Sequence, residues 1–190
     1  MQVKHVLGEI APRITEGVIL EIGAKCGNTT VVLANAKVPV YTIDMWDLTF
    51  LEKKDSRPKV HKDVSNFDAF TEAVKGLNVI HVKGLSAEIA KAWEKPIGLL
   101  FIDGDHSYEG CKADYEGFAR HIIPGGYLIF HDYEDKSPGV QKLVDEIKDG
   151  WIGFTVEGRT AVMKKEGLDT DGSFYHLGNQ RGEPCKRSIA

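Results

Sequence analysis

Short runs of apolar residues recur along the chain, and each of them ends at a polar residue or a glycine. Runs that are almost continuously apolar are typical of strands that a fold covers on both faces. Five such runs lie at residues 18–22, 38–43, 78–82, 97–102 and 127–130. The pattern therefore predicts five buried β-strands.

Helical periodicity fills the segments between these runs. Apolar residues recur at helical spacing after Asn66, after Ser86 and after Ser137 with Pro138, and the two serines are plausible N-caps. The longest stripe ends at the turn residues 124–126. Its members are Tyr108, Cys111, Tyr115, Phe118 and Ile122.

Two further apolar runs, at residues 152–156 and 160–164, flank the short polar link EGR. A link this short suits a hairpin, so one late strand should run antiparallel to its neighbours. The repeated alternation of strands and helices favours a sheet with helices on both faces. The predicted fold class is α/β: a doubly wound, mostly parallel, seven-stranded sheet with one antiparallel strand near the C-terminus.

The 190 residues suit one domain, which we expect to span residues 1–166. Residues 167–190 are rich in glycine and polar residues and should form a C-terminal tail, anchored through residues 174–176. A second subunit is one surface that could hold this tail, so a homo-oligomer is compatible with the sequence.

Composition excludes several classes of partner. The formal net charge of −4 gives no attraction to nucleic acid or to anionic membranes. No apolar run is long enough to cross a bilayer. Three widely spaced cysteines and the lack of a signal-peptide pattern favour a cytoplasmic location. The expected partner is a small-molecule substrate.

Polar residues or glycines follow each of the five predicted strands. They are Glu21 and Gly23, Asp44, Gly84 and Ser86, Asp103 and His106, and His131 and Asp132. Ligands of parallel sheets bind beyond the carboxyl ends of the strands. Any strand becomes polar where it meets water, but so many carboxylates at one rim would repel each other without a cation or hydrogen-bond donors. The sequence therefore predicts a ligand site at this edge.

The loop EIGAKCGNTT at residues 21–30 follows the first strand. Gly23 and Gly27 would let the backbone approach a ligand closely, although a plain strand–helix turn is an equal alternative. Lys25 stands where a G-x-G-x-x-G loop has its second glycine, which weakens a dinucleotide interpretation.

Asp44 ends the second strand about twenty residues after this loop, where an acid can accept hydrogen bonds from the ribose hydroxyls of an adenosine. A cap of a helix or turn is the alternative. Met45 and Trp46 follow and could cover an adenine face, although core packing explains Trp46 at least as well.

Two longer motifs are the most specific: DGDHSYEG at residues 103–110 and PGGYLIFHDY at residues 124–133. With the loop at residues 21–30 and the acid that ends the second strand, they resemble the class I S-adenosylmethionine-dependent methyltransferases. More narrowly, residues 15–165 resemble the small metal-dependent O-methyltransferases of macrolide and aminocoumarin sugars and the methyltransferase domain 24 group. The resemblance implies a Rossmann-like fold.

The resemblance also implies a set of cofactor contacts. Glu21 and Gly23 would hold the methionine portion of S-adenosylmethionine, Asp44 the ribose, and Ser86 would bond near the adenine. Asp103 would lie at the methyl-transfer centre. The residues predicted to contact the cofactor are Glu21, Gly23, Gly27, Asn28, Thr29, Asp44, Met45, Trp46, Gly84, Ser86 and Asp103.

Methyl transfer to oxygen needs a deprotonated hydroxyl in line with the methyl group, and a divalent cation can lower the pKa of that hydroxyl. Asp103 and Asp132, at the ends of neighbouring strands, are the predicted ligands. His131 is the third, and it stands where relatives often carry an acid. An imidazole shifts the expected ion from magnesium toward a transition metal such as manganese. The alternative is that His131 is a cap, or that it contacts a metal ligand without binding the metal itself.

His106, three residues after Asp103, is the predicted general base because its unperturbed pKa lies near 6.5. Related sugar O-methyltransferases use a histidine here, and the alternative is a helix N-terminal residue packing on Tyr108. Asp105 should cap the following helix or orient His106. Residues 45–64 form a long link that could be a lid or a solvated excursion.

The function predicted is thus a metal-assisted O-methyltransferase that uses S-adenosylmethionine and acts on a sugar or another vicinal diol. Two alternatives stay open at this point. One is a nicotinamide-dependent oxidoreductase on a similar sheet. The other is a module that binds the cofactor and catalyses nothing.

Overall fold

The fold is a seven-stranded sheet in which the first strand lies near the centre. The computed structural model describes residues 2–46, 65–134 and 136–167. The strands are β1 (Val18–Ile22), β2 (Val40–Asp44), β3 (Val79–Lys83), β4 (Ile97–Ile102), β5 (Ile122–Phe130), β6 (Ile152–Glu157) and β7 (Thr160–Lys164). Their order across the sheet is β3-β2-β1-β4-β5-β7-β6. The strand order therefore reverses between β1 and β4, and doubly wound folds bind their ligands at such a point.

Strand directions agree with the sequence pattern. The five strands from β1 to β5 pair in parallel, and β7 pairs antiparallel with both β5 and β6. The doubly wound, mostly parallel sheet and its late hairpin are thus confirmed. β1 and β4 have the predicted bounds, whereas β2 and β3 are displaced by one or two residues, which is common at element ends.

The prediction for β5 was wrong at its start. Ile122 was expected on the preceding helix, but it begins the strand and pairs with Ile97. The next pair is Leu99 with Tyr127, so five residue steps on β5 oppose two on β4. The intervening segment, with its proline and two glycines, forms an irregular bulge, which is where a parallel sheet can accept a proline.

Helices cover both faces of the sheet. They are α1 (Gln2–Ile10), α2 (Thr30–Leu33), α3 (Asn66–Ala73), α4 (Ser86–Ala90), α5 (Tyr108–Phe118) and α6 (Pro138–Ile147). The sequence pattern did not predict α1. None of the helices in the described ranges is long and apolar enough to span a bilayer. Residues 47–64 and 168–190, which include most of the predicted lid and the tail anchor, lie outside the described residues.

Side-chain caps fix two of the helices. The Ser65 hydroxyl accepts a hydrogen bond from the Asp68 amide, and the Ser107 hydroxyl accepts one from the Gly110 amide. The N-cap of α4 is Leu85, so the prediction that Ser86 fills this position was wrong. Ser137 is the N-cap of α6, but its side chain makes no capping bond.

The continuous apolar runs follow from burial on both faces. Alternate residues of a strand point to opposite faces. Leu20 and Leu100 belong to a core cluster with residues of α4, α5 and α6, whereas Ile19 and Phe101 belong to one with residues of α1 and α2. Each face of β1 and β4 therefore has its own hydrophobic core.

The buried side of α1 should contribute strongly to stability. We expect Leu7→Ala to lower the free energy of unfolding by about 2–5 kcal/mol, because Leu7 is fully buried and its loss leaves a cavity. The matched change Leu77→Ala, at a residue that is 40% exposed, should cost less than about 1 kcal/mol. Urea unfolding of both variants measures the difference, and equal losses would contradict the packing of α1 on the sheet.

Candidate functional site

The candidate site lies at the carboxyl edge of the sheet, where the backbone ladder continues beyond the strands. The Asp103 amide donates to the Ile22 carbonyl over 2.9 Å. The His131 amide donates to the Ile102 carbonyl over 3.1 Å. These bonds hold the residues that follow β4 and β5 in a fixed register with β1 and with each other.

Asp103, His131 and Asp132 form one cluster at this edge. Each offers one ligand atom, and the three atoms lie within 4.8 Å of one another. His131 Nδ1 is 3.2 Å from Asp103 Oδ1 and 3.3 Å from Asp132 Oδ1. The sheet therefore brings these three side chains together as their strand positions predicted. Their role as metal ligands stays a prediction.

His106 contacts both acids of this cluster. Its Nε2 lies 3.5 Å from Asp103 Oδ1, and its Nδ1 lies 3.3 Å from Asp132 Oδ2. The contact with Asp103 raises the pKa of His106, burial opposes this, and the charge of Asp132 adds to it. Burial raises the pKa of Asp103, but the contacts with His106 and His131 outweigh burial, and the net effect is a lowered pKa.

The turn that carries His106 is fixed from two sides. Asp105 Oδ1 accepts a hydrogen bond from the Ser107 amide over 2.9 Å. Because Ser107 is the N-cap of α5, the prediction that Asp105 caps this helix was wrong, and its role in orienting His106 stays a prediction. On the other side, Gly139 of α6 packs against the backbone of this turn. An ideal Cβ on Gly139 would lie 2.5 Å from the His106 carbonyl oxygen and 2.7 Å from the Ser107 carbonyl carbon. Only glycine therefore lets α6 approach the turn so closely.

Asp132 shows two features that are rare in ordinary loops. Its backbone φ is +55°, a left-handed conformation that concentrates at functional sites. Its Oδ1 atom is buried and has no hydrogen-bond partner among the described residues. Arg159 Nη1 lies 2.8 Å from this oxygen, so the two groups form an ion pair by distance without the angle of a hydrogen bond. The oxygen keeps an unmet capacity to accept.

Two more non-glycine residues of the described ranges have positive φ, and both lie at this edge. They are Lys25 at +50° and Trp46 at +44°. Asp44 holds both, because its Oδ2 accepts from the Lys25 amide over 2.7 Å and its Oδ1 accepts from the Trp46 amide over 2.8 Å. Asp44 thus fixes the loops after β1 and β2. Its predicted ribose contact stays a prediction.

Trp46 and Met45 differ in exposure. Trp46 is 5% exposed and packs against Phe67 and Phe70, and its indole Nε1 donates to the Lys25 carbonyl over 2.9 Å. These contacts favour the packing alternative for Trp46 over an adenine contact. Met45 is 37% exposed, and its role as an adenine cover stays a prediction.

Glu21 lies beneath the loop that follows β1. Its side chain is fully buried, and its two carboxylate oxygens accept from the hydroxyls of Thr29 and Thr30, each over 2.5 Å. Burial raises the pKa of Glu21 to about 7, although the threonine bonds oppose this. Glu21 therefore anchors the start of α2, and a direct contact with the cofactor stays a prediction.

The remaining loop residues surround the end of β1. Gly23 has a φ of +92°, and a Cβ there would overlap the Asp103 carbonyl, so glycine is required where β1 meets β4. Gly27 is buried, Asn28 is exposed and Thr29 is half-buried. The structure thus places the predicted cofactor loop directly beside Asp103.

Gly84 and Ser86 follow β3 at the same edge. The Gly84 amide donates to the Asp44 carbonyl over 3.0 Å, which continues the ladder between β2 and β3. The Ser86 hydroxyl donates to Asp114 Oδ1 over 2.5 Å. Asp114 is buried on α5, and burial raises its pKa to about 6. The hydroxyl of Ser86 is therefore held by a buried acid.

Sequence reasoning missed three residues that support this site. Asp114 was detectable, because it follows Cys111 by three residues and so lies on the apolar face of its helix. Arg159 and Gly139 gave no such signal. Arg159 lies in the turn between β6 and β7 and reaches the site only because β7 inserts beside β5.

Comparison with protein families decides the class. The family model Methyltransf_24, described as a methyltransferase domain, matches residues 20–133, which is more than half of the chain. The chain belongs to this family of methyltransferase domains. The match covers the loop after β1, both long sequence motifs and the cluster at the ends of β4 and β5. It confirms the resemblance to class I S-adenosylmethionine-dependent methyltransferases and, with it, the predicted enzyme class.

One curated relative is the uncharacterized protein R132 of Acanthamoeba polyphaga mimivirus. It is 34% identical to this methyltransferase domain over a stretch that covers 40% of this chain and 40% of that protein. The match therefore spans well under two thirds of the relative's length.

Solved structures share the fold at low identity. CalS11, a TDP-rhamnose 3'-O-methyltransferase, superposes with a TM-score of 0.63 at 16% identity, covering 85% of this chain and 77% of that one. TomG of Streptomyces achromogenes, solved with S-adenosylmethionine, gives 0.61 at 18%, covering 87% and 80%. An rRNA methylase of Streptococcus thermophilus gives 0.61 at 15%, covering 85% and 95%. The fold is common to methyltransferases that differ in their acceptors.

The raised pKa of Glu21 makes a prediction about stability. Its folded value of about 7 exceeds the ordinary 4.5, so its stabilising contribution is complete below pH 4.5 and is lost as the pH rises through 7. Glu21→Gln cannot ionise. We expect its stability relative to the wild type to increase by roughly 3 kcal/mol between pH 4.5 and pH 8, as the size of the pKa shift implies.

Urea unfolding of both proteins at pH 5 and pH 8 measures most of this change. Glu16→Gln, at an exposed glutamate, is the matched control and should show little pH dependence relative to the wild type. A difference between Glu21→Gln and the wild type that is the same at both pH values would contradict a buried, proton-binding Glu21.

Proposed function

We propose that this chain transfers the methyl group of S-adenosylmethionine to a hydroxyl of a small molecule. In this proposal a divalent cation is held by Asp103, His131 and Asp132, and His106 is the general base. The observation that carries the proposal is the convergence of these four side chains beside the loop after β1. Membership of a methyltransferase family argues against the alternative of a nicotinamide-dependent oxidoreductase.

The donor set fits a divalent cation. Asp132 Oδ1 is a buried acceptor without a hydrogen-bond partner in the described part of the chain, and it lies 3.3 Å from His131 Nδ1. Two carboxylates suit hard cations, and one imidazole shifts the preference from magnesium toward manganese or another transition metal. The bound cation would supply Lewis acidity that lowers the pKa of the acceptor hydroxyl.

The cofactor loop supports the choice of methyl donor. Gly23 places the end of β1 against the Asp103 backbone, so a ligand above this loop would lie next to the cluster. Asp44 holds the loops after β1 and β2, and Ser86 is held by Asp114. TomG, which shares the fold, was solved with S-adenosylmethionine. We therefore place the adenosyl portion of the donor along the ends of β1, β2 and β3.

The reaction that this arrangement supports is an in-line displacement. The acceptor oxygen forms a bond to the methyl carbon while the carbon–sulfur bond breaks, and the products are a methyl ether and S-adenosylhomocysteine. His106 accepts the hydroxyl proton. The contacts of His106 with Asp103 and Asp132 favour its protonated form, and a cation held by both acids would weaken this preference and let the ring act as a base.

The proposed acceptor is a sugar or another vicinal diol, because such molecules can present two adjacent oxygens to one cation. CalS11, which shares the fold, acts on TDP-rhamnose. The net charge of −4 argues against RNA, although an rRNA methylase has a similar fold. A cytoplasmic location and independence from membranes and nucleic acid belong to the same proposal, and a homo-oligomer is compatible with it.

Calorimetric titration with S-adenosylmethionine tests the cofactor. We expect saturable binding in the micromolar to low millimolar range and none of NADH. Asp44→Asn should weaken the binding of S-adenosylmethionine by about tenfold or more, because the substitution removes a charge-assisted hydrogen-bond acceptor. Asp68→Asn, which changes an exposed aspartate of α3, should bind as the wild type does. Binding of NADH without binding of S-adenosylmethionine would favour the oxidoreductase.

Turnover tests the catalytic assignment. S-adenosylhomocysteine production is measured with manganese and a panel of nucleotide sugars and catechols. We expect His106→Gln to lower kcat by about 10²–10⁴-fold, the usual contribution of a general base. His121→Gln, just before β5 and thus at the opposite end of this strand from His131, should keep full activity. A fully active His106→Gln enzyme would refute the assignment of His106 as the general base. Binding of S-adenosylmethionine without turnover on any acceptor would favour a non-catalytic module.

A further inference from the structure

Arg159 brings a fixed positive charge to the edge of the proposed metal site. It lies in the turn between β6 and β7, and its guanidinium is half-exposed. One atom, Nη1, lies 2.8 Å from Asp132 Oδ1 and 2.7 Å from Glu134 Oε1. A single nitrogen therefore bridges two carboxylates that belong to one stretch of chain.

The backbone holds Arg159 in this place independently of its side chain. The Tyr133 amide, between the two acids, donates to the Arg159 carbonyl over 2.9 Å. β7 pairs antiparallel with β5, and Ala161 lies opposite Phe130. The hairpin turn is thus tied to the segment that follows β5. A substitution of the Arg159 side chain leaves these backbone bonds in place.

The oxygen that Arg159 contacts is the one best placed to bind a cation. Asp132 Oδ1 lies 3.3 Å from His131 Nδ1, and that nitrogen lies 3.2 Å from Asp103 Oδ1. The other oxygen of Asp132 faces His106 instead. Arginine stays charged at every pH at which proteins are folded, so its charge is a permanent feature of the site.

We propose that Arg159 is an internal counter-ion to Asp132 and thereby sets how tightly the site binds a divalent cation. This inference rests on the metal site of the proposed function. Like charges within a few ångströms repel, and the repulsion is strong where protein excludes water. Arg159 must therefore weaken the binding of a cation to Asp132 or move toward Glu134 when the cation binds. Glu134 gives the displaced guanidinium a second carboxylate.

The opposite role is physically distinct. Arg159 could instead assemble the site by holding Asp132 in its left-handed conformation, in which case its removal would weaken cation binding. The two roles predict affinity changes of opposite sign. The counter-ion role is favoured because Tyr133 already fixes the backbone beside Asp132, and Arg159 is not needed for that purpose.

Manganese titration of the purified chain measures the affinity without any methyl acceptor. Free Mn²⁺ is followed by electron paramagnetic resonance in chelator-treated, low-salt buffer. We expect Arg159→Gln to bind Mn²⁺ about tenfold more tightly than the wild type, because the repelling charge is gone. Arg159→Lys keeps the charge and should stay within about threefold of the wild type.

Two further variants serve as controls. Arg120→Gln removes an exposed arginine of the short turn between α5 and β5 and should bind Mn²⁺ as the wild type does. Asp132→Asn should lose most of the binding, which assigns the measured ion to this site. Added salt should reduce the difference in Mn²⁺ affinity between Arg159→Gln and the wild type, since screening weakens the repulsion. Thermal unfolding of each variant checks that it is folded.

The outcomes separate the inference from the metal site itself. Equal or weaker Mn²⁺ binding by Arg159→Gln, with binding lost in Asp132→Asn, overturns the counter-ion role and leaves the site standing. Tighter binding by both Arg159→Gln and Arg120→Gln also overturns it, because net charge alone would then be responsible. No Mn²⁺ binding by the wild type or by Arg159→Gln overturns the inference and the proposed metal together.

Discussion

The arrangement of the site depends on the hydrogen-bonded register of three neighbouring parallel strands. β1, β4 and β5 lie side by side, and the ladder continues through the amides of Asp103 and His131. Because parallel strands end at the same edge, residues 28 positions apart in the chain come within 3.2 Å of each other. Gly23 lets β1 meet the Asp103 backbone at the same point. The side chains of the cluster and the loop after β1 thus share one support.

The second constraint is the charge that this register concentrates. Asp103 and Asp132 cannot lie so close at low cost unless positive groups face them. His106, His131 and Arg159 provide these contacts. If a cation binds as proposed, its affinity will depend on these surrounding charges as well as on the ligands.

Buried acids beside the cofactor loop have a different task. Glu21 and Asp114 are buried, and burial raises the pKa of both. Their oxygens accept from hydroxyls: Thr29 and Thr30 bond to Glu21, and Ser86 bonds to Asp114. Each acid fastens the turn that follows a strand. They hold the loops at the edge of the sheet, whereas Asp103 and Asp132 lie in the cluster with His106 and His131.

Apolar runs and turn residues were enough to predict the strands, their mostly parallel order and the edge at which the site lies, because burial on both faces and strand polarity are local properties of the sequence. The motifs around Asp103 and His131 were specific enough to indicate the methyltransferase family. The start of β5 and the place of Arg159 could not be found in this way, and the sequence left core packing and an adenine contact both open for Trp46. Each was decided by a contact between segments distant in sequence: a bulge opposite β4, a hairpin that inserts beside β5, and an aromatic cluster with α3. Local chemistry therefore determined which residues meet at the edge of the sheet, and only tertiary packing decided which charges surround them.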